Sequence, residues 1–237
     1  MSKLIWISGP YIVTMIFIVG MFWRYKYDRY GWTSRSSQIY ESKLLRIGSP
    51  LFHFGLLMAL GGHLIGLVIP ARFTENFGID ERLYHVVAVS MGSVAGVMVM
   101  IGLGILIYRR RTVTRVFQVT TKMDKLMYVV LGSLIFLGVY NTIGINLFNV
   151  TGNYPGGYNY RESVALWFRS VAIFNPRTEL MHEAPLTFQL HAIAAMGLIA
   201  LIPVTRLVHI FSAPIGYLSR PYLVYRRVDK KKTRPGW

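Results

Sequence analysis

Four histidines, His53, His63, His191 and His209, lie inside two long apolar runs of this chain. An imidazole in hydrocarbon costs free energy unless its ring nitrogens are satisfied, so intramembrane histidines are functional candidates. They come as one pair on each run. Imidazoles facing each other across a bundle are the donor set that clamps an iron porphyrin by its two axial positions, and two such pairs would hold two b haems. The chain has no cysteine, which excludes thioether haem attachment, iron–sulfur ligation and disulfides for it.

Membrane spans must position these residues. The sequence is 53% hydrophobic and carries 26 Lys+Arg against 10 Asp+Glu. Such a balance in a water-soluble chain would suggest nucleic-acid binding, but the apolar residues fall in continuous runs and no nucleic-acid module is recognisable, so we expect none. Five runs reach spanning length, about 20 residues at about 1.5 Å rise each: 4–23, 50–69, 83–108, 127–148 and 185–211. The first lacks a small-residue cleavage site and ends in MFWRYKYDRY, which reads as a retained anchor.

Lysines and arginines concentrate in three segments: six in 24–50, six in 108–125 and seven in 213–237. The loops opposite them carry only Lys3, then Arg72 and Arg82, then Arg161, Arg169 and Arg177, with Arg206 inside the fifth run. The excess belongs in the cytoplasm. The fold class expected is an all-α integral membrane protein: one domain, 1–237, of five transmembrane helices with the N-terminus outside and the C-terminus cytoplasmic. Haems are expected between the second and fifth helices, in the inner cell membrane.

That topology levels His63 with His191 and His53 with His209. Ideal helical geometry puts His191 and His209 on one face, about 27 Å apart, but His53 and His63 only about 15 Å apart and about 80° around the axis. The mismatch predicts a tilt or distortion of the second helix near Gly61–Gly62. Gly61, Gly62 and Gly66 also clear side chains from where a macrocycle would lie. Zinc suits imidazole, but sites this far apart in height cannot share one ion. His85 and His182 have no partner at matching depth and read as ordinary interfacial residues.

Arg206, three residues before His209, reads as snorkelling to the interface or pairing with a haem propionate. Arg109, in the Arg109–Arg111 cluster, reads as a solvated helix end or a second propionate partner. Gly92 and Gly96 have the spacing of a packing face. TGNYPGGYNY is a turn cluster, and SVALWFRSVAIF reads as a short interfacial helix whose Trp167 suits the aromatic belt.

Three blocks carry a resemblance: SSQIYESKLLRIGSPLFHFGLLMALGGHLIG, AGVMVMIGLGILIYRRR and LMHEAPLTFQLHAIAAMGLIALIPVTRLVHIFSAPIGYLSRPYLVYR. Together they span most of 36–226, and the chain resembles the gamma subunit of respiratory nitrate reductase, a membrane dihaem cytochrome b. The resemblance implies that His53 and His209 ligate a proximal haem near the cytoplasm, and His63 and His191 a distal one. It also implies a quinol site beside the distal haem, using Gly62, His63 and Arg82. Protons would be released outward, and electrons would reach an iron–sulfur beta subunit and then a molybdenum-containing alpha subunit that reduces nitrate. Runner-up readings are a dihaem cytochrome b serving a heterodisulfide- or sulfite-linked reductase, and a five-span transport protein using its histidines as a proton relay.

Overall fold

The structure, a computed structural model, describes residues 3–212. The basic tail 213–237, expected to face a partner or lipid head groups, lies outside the described residues. The helices are α1 (Lys3–Tyr27), α2 (Lys43–His63), α3 (Ala71–Asn76), α4 (Glu81–Thr112), α5 (Thr114–Gln118), α6 (Lys122–Val139), α7 (Val164–Ala172), α8 (Thr178–Glu183) and α9 (Leu186–Leu201). There is no strand among the described residues. Five segments are long and apolar enough to span a membrane: Lys3–Tyr27, Lys43–Val68, Glu81–Thr112, Lys122–Leu147 and Leu186–Val204. The protein is therefore a multi-pass membrane protein, and large apolar side chains such as Phe22, Val129 and Phe136 are exposed.

The main packing runs α2 on α4, α4 on α6, α6 on α9 and α9 on α1. This order leaves α2 and α9 facing each other across a cleft. Glycine lets α2 lie close on α4: a Cβ at Gly102 would stand 2.8 Å from the Cα of Phe52, and one at Gly55 would stand 2.9 Å from the Ala95 carbonyl oxygen. Phe52, Val99, Leu103 and Leu131 fill the interface below. Gly96 faces Val139 of α6 and Gly92 faces Thr142 on the π-helical stretch that follows it, Tyr140–Leu147, so they serve helix packing.

Local signals set the helix starts. Asp80 accepts from the Leu83 amide at the start of α4 (2.7 Å). Thr121 and Asp124 form a reciprocal capping box at the start of α6. The turn cluster 152–157 has positive φ at Gly152, Gly156 and Gly157. The interfacial helix forms as α7, but Trp167 does not reach an aromatic belt. It is buried edge-on against Trp6 (5.4 Å), and its indole N–H donates to the Trp6 carbonyl (3.2 Å).

Two expectations about helix regularity change. The second span is α-helical from Lys43 through His63, and its distortion, a π-helical stretch at Leu64–Val68, comes after both histidines. The fifth run is not one helix to residue 211. It tightens to a 3-10 turn at Ile202–Val204, extends at Thr205 (φ −116°, ψ 179°) and resumes as a separate 3-10 segment, Arg206–Ser212. Pro203, which has no amide hydrogen to continue the ladder, is the cause. The departure from a continuous helix thus falls between His191 and His209.

Candidate functional site: two imidazole pairs in the cleft

The cleft between α2 and α9 brings the four histidines together in the expected pairs. The His63 and His191 ring centroids lie 5.9 Å apart with planes inclined by 22°. Those of His53 and His209 lie 6.3 Å apart with planes inclined by 70°. Two metal–imidazole bonds of about 2.1 Å, with about 1.1 Å from each nitrogen to its ring centre, require a separation of about 6.4 Å. Both gaps suit one metal ion between the rings.

The second ring nitrogen is accounted for in every case. Nδ1 of His53 bonds the Ser49 carbonyl (2.7 Å), and Nδ1 of His63 bonds the Ala59 carbonyl (2.7 Å). Nδ1 of His191 bonds the Leu134 carbonyl (3.0 Å), and Nδ1 of His209 bonds the Arg206 carbonyl (2.6 Å). A carbonyl only accepts, so each Nδ1 carries the hydrogen and each Nε2 keeps a free lone pair. That tautomer is what a ligating imidazole needs. A Cβ at Gly61 or Gly62 would meet nothing within 4 Å, leaving room for a flat macrocycle beside His63. Among the described residues no group of three or more His, Asp or Glu collects, so the donor set is imidazole pairs, not a tetrahedral zinc set.

The scaffolds of the two pairs differ. On α6, Gly138 lets the His191 ring approach; a Cβ there would stand 2.9 Å from its Cε1. His209 instead stands beyond the break, and Arg24 of α1 holds that break. Arg24, only 3% exposed, donates to the carbonyls of Pro203 (2.6 Å), Thr205 (2.9 Å) and Gly31 (2.9 Å) and pairs with Asp28. It satisfies carbonyls orphaned where the helix ends. Gly20 admits Pro203 against α1, since a Cβ would lie 2.7 Å from the Pro203 Cβ. Sequence reasoning counted Arg24 only as a loop charge; its place within an apolar helix was the available signal.

The predicted propionate partners have protein partners. Arg206 forms a two-pronged pair with the buried Asp124 (2.8 and 2.6 Å), the residue that also closes the α6 capping box. Arg109 is buried and donates to Glu41 Oε2 (2.6 Å), Glu41 O, Ser37 Oγ and Ser37 O. Each thus has a role in the fold independent of any propionate, and Arg109 is not a solvated helix end. Burial alone would raise the Glu41 carboxyl, but the Leu44 amide, Arg109 and the Lys43 amide outweigh it and hold the group below its ordinary value.

The third predicted group is divided. Gly62 and His63 flank the cleft. Arg82 lines a cavity of about 420 Å³ with Glu81, His85, Gly156, Gly157 and Asn159, and neither Gly62 nor His63 contributes to its wall. His85, read as an ordinary interfacial residue, has a buried Nε2 without a hydrogen-bond partner among the described residues. His182 is exposed on α8, as expected. Arg161 clamps this end, stacking on Tyr84 (3.9 Å) and pairing with Glu81 (3.0 Å), while Arg169 donates to the Leu67 carbonyl freed by the π-helical stretch (3.0 Å).

The fold and the cleft define a multi-pass membrane protein with two imidazole-pair sites stacked along a helical bundle. The chain belongs to the nitrate reductase gamma subunit family, which it matches over residues 2–228. It is 52% identical over 242 residues to the nitrate reductase-like protein NarX of Mycobacterium tuberculosis. That alignment covers 100% of this chain and 36% of the relative, so the chain spans about a third of its length. It is 40% identical to the nitrate reductase gamma chain of Bacillus subtilis, covering 95% of this chain and 98% of that one. Against the respiratory nitrate reductase 2 gamma chain of Escherichia coli K12 the identity is 31%, with 92% and 93% covered.

Proposed function

We propose that this chain is the membrane cytochrome b subunit of a nitrate reductase, oxidising quinol at one face and delivering electrons to partners at the other. The observation that carries the reading is the tautomer common to all four histidines: Nδ1 tied to a backbone carbonyl, Nε2 free across a gap of metal-bridging width. His53 and His209 would hold one b haem, and His63 and His191 the other. When bound, the two haems supply one-electron transfer across the bilayer.

The residues divide the remaining work. The carbonyl-bound imidazoles fix ring orientation and keep the axial nitrogens unprotonated. Glycines 61 and 62 leave space beside His63, where quinol would enter from the exterior side. The basic end, with the loops 28–42 and 113–121, faces the cytoplasm on the positive-inside rule. There an iron–sulfur subunit would dock and pass electrons to a molybdenum-containing subunit, where nitrate is reduced.

The purified complex tests this directly. It should show a reduced b-type α-band and a pyridine haemochrome ratio of two haems per chain. His63→Ala or His191→Ala should bring the ratio to one and stop quinol oxidation. A colourless preparation contradicts the proposal, and a heterodisulfide- or sulfite-linked subunit co-purifying in place of the nitrate reductase subunits would reassign the partner.

A further inference from the structure

At the His191 end of the bundle, polar atoms stand buried inside apolar packing without hydrogen-bond partners among the described residues. They include His85 Nε2 on α4, Asn141 Oδ1 on the π-helical stretch Tyr140–Leu147, and Thr187 Oγ1 on α9. Asn141 is only 5% exposed. A buried polar atom in a membrane bundle is costly unless something bonds it, and bound water is the usual partner.

The atoms are joined rather than scattered. Asn141 Nδ2 donates to the Thr187 carbonyl (3.4 Å), and Asn146 Nδ2 donates to the Asn141 carbonyl (2.8 Å). Asn146 Oδ1 accepts from the Tyr158 amide (2.7 Å) and, with His85 Nε2, flanks Gly157; a Cβ there would lie 2.9 and 2.6 Å from them. Gly157 has φ +93°, a conformation few other residues adopt, and no side chain to push the imidazole away. His85 then opens onto the cavity lined by Glu81, Arg82, Gly156 and Asn159. At the other end, Thr187 lies one helical turn before His191 on the same face. The wide turn that presents Asn141 and Asn146 is of the type that recurs at functional sites.

We propose that Thr187, Asn141, Asn146 and His85 line a water-binding shaft that carries protons from the His191 end of the cleft to the Glu81–Arg82 cavity. The shaft rests on the reading that quinol is oxidised at this end. Each quinol oxidised gives one quinone, two electrons and two protons; the electrons would pass to the haem that His63 and His191 would hold, and the protons would leave along the shaft. Glu81, paired with Arg161, and Arg82 are the charged groups around its mouth.

The test uses the whole complex in liposomes, with menadiol as donor, nitrate as acceptor, and a pH dye reporting the compartment that faces the Glu81–Arg82 cavity. Asn141→Leu and His85→Phe should slow both proton release and haem reduction by menadiol at least tenfold, and raise the solvent isotope effect. Dithionite should still reduce both haems fully. Thr187→Val, nearly isosteric, should slow release several-fold and guards against a packing artefact. A water-resolving map of the complex should show density bonded to Asn141 Oδ1 and Thr187 Oγ1. Wild-type rates in all three variants, or no such density, overturn the shaft alone. Wild-type protein that releases no protons on that side overturns the quinol reading and the shaft together.

Discussion

At the His63–His191 end, both rings leave regular helix and are seated by close packing, with Gly138 admitting one ring and Gly61–Gly62 leaving space beside the other. At the His53–His209 end, one histidine stands on a short segment beyond a broken helix, and buried charges hold that segment. Arg24 satisfies the carbonyls at the break, and Arg206 ties the turn before His209 to Asp124. The His63–His191 seat is made by removing side chains; the His53–His209 seat is made by adding ion pairs. The same chemical unit can therefore rest on apolar shape or on polar bonds, and the two should fail differently when disturbed.

The largest effect should come from Arg24→Ala. It leaves two buried carbonyls unpaired, at about 2–4 kcal/mol, and frees the segment carrying His209. The haem count should fall from two to one, with the survivor showing the properties of the His63–His191 site; a full complement of haem would remove Arg24 from the account. Gly138→Val is the mirror experiment. Its added carbons meet His191 and cost about 1–3 kcal/mol of overpacking, so the His63–His191 site should lose occupancy or shift in potential while the His53–His209 site stays unchanged in a redox titration.

Asp124→Asn keeps a capping acceptor but weakens the Arg206 pair, at roughly 1–3 kcal/mol. Both haems should remain, with only the potential of the His53–His209 site shifted. The smallest effect concerns Glu41. Its carboxyl is held below the ordinary value of 4.5, so the stabilisation is complete at neutral pH and is lost only as pH falls below that value. Thermal melts of the wild type should therefore weaken in acid more than those of Glu41→Gln, and the two should respond alike to pH above about 6.

Much of this was legible in the sequence. Hydropathy runs marked the five spans, since length in a bilayer is dictated by its thickness, and the positions of the basic residues leveled the histidines into the pairs the cleft assembles. What ideal periodicity could not show was where the helices depart from ideality. Pro203 was visible as a possible kink, but the break it causes depends on Arg24, 179 residues away, supplying the bonds the helix gives up. Trp167 was similarly misread because an aromatic residue near a span end suits both an interface and a core; its contact with Trp6 decided. The buried unpaired oxygen of Asn141 has no sequence signature, since any polar residue in a span can find a neighbour.

The central claim, two imidazole pairs that each hold a haem in differently built seats, is tested most directly by electron paramagnetic resonance of the oxidised complex. Crossed axial imidazoles share their π donation between two iron orbitals and bring them near degeneracy, whereas aligned ones split them. The wild type should give two low-spin signals. The one with the larger g anisotropy should vanish in His209→Ala, the 70° pair, and the other in His191→Ala, the 22° pair. A single signal in the wild type, or both signals surviving either replacement, would contradict the account.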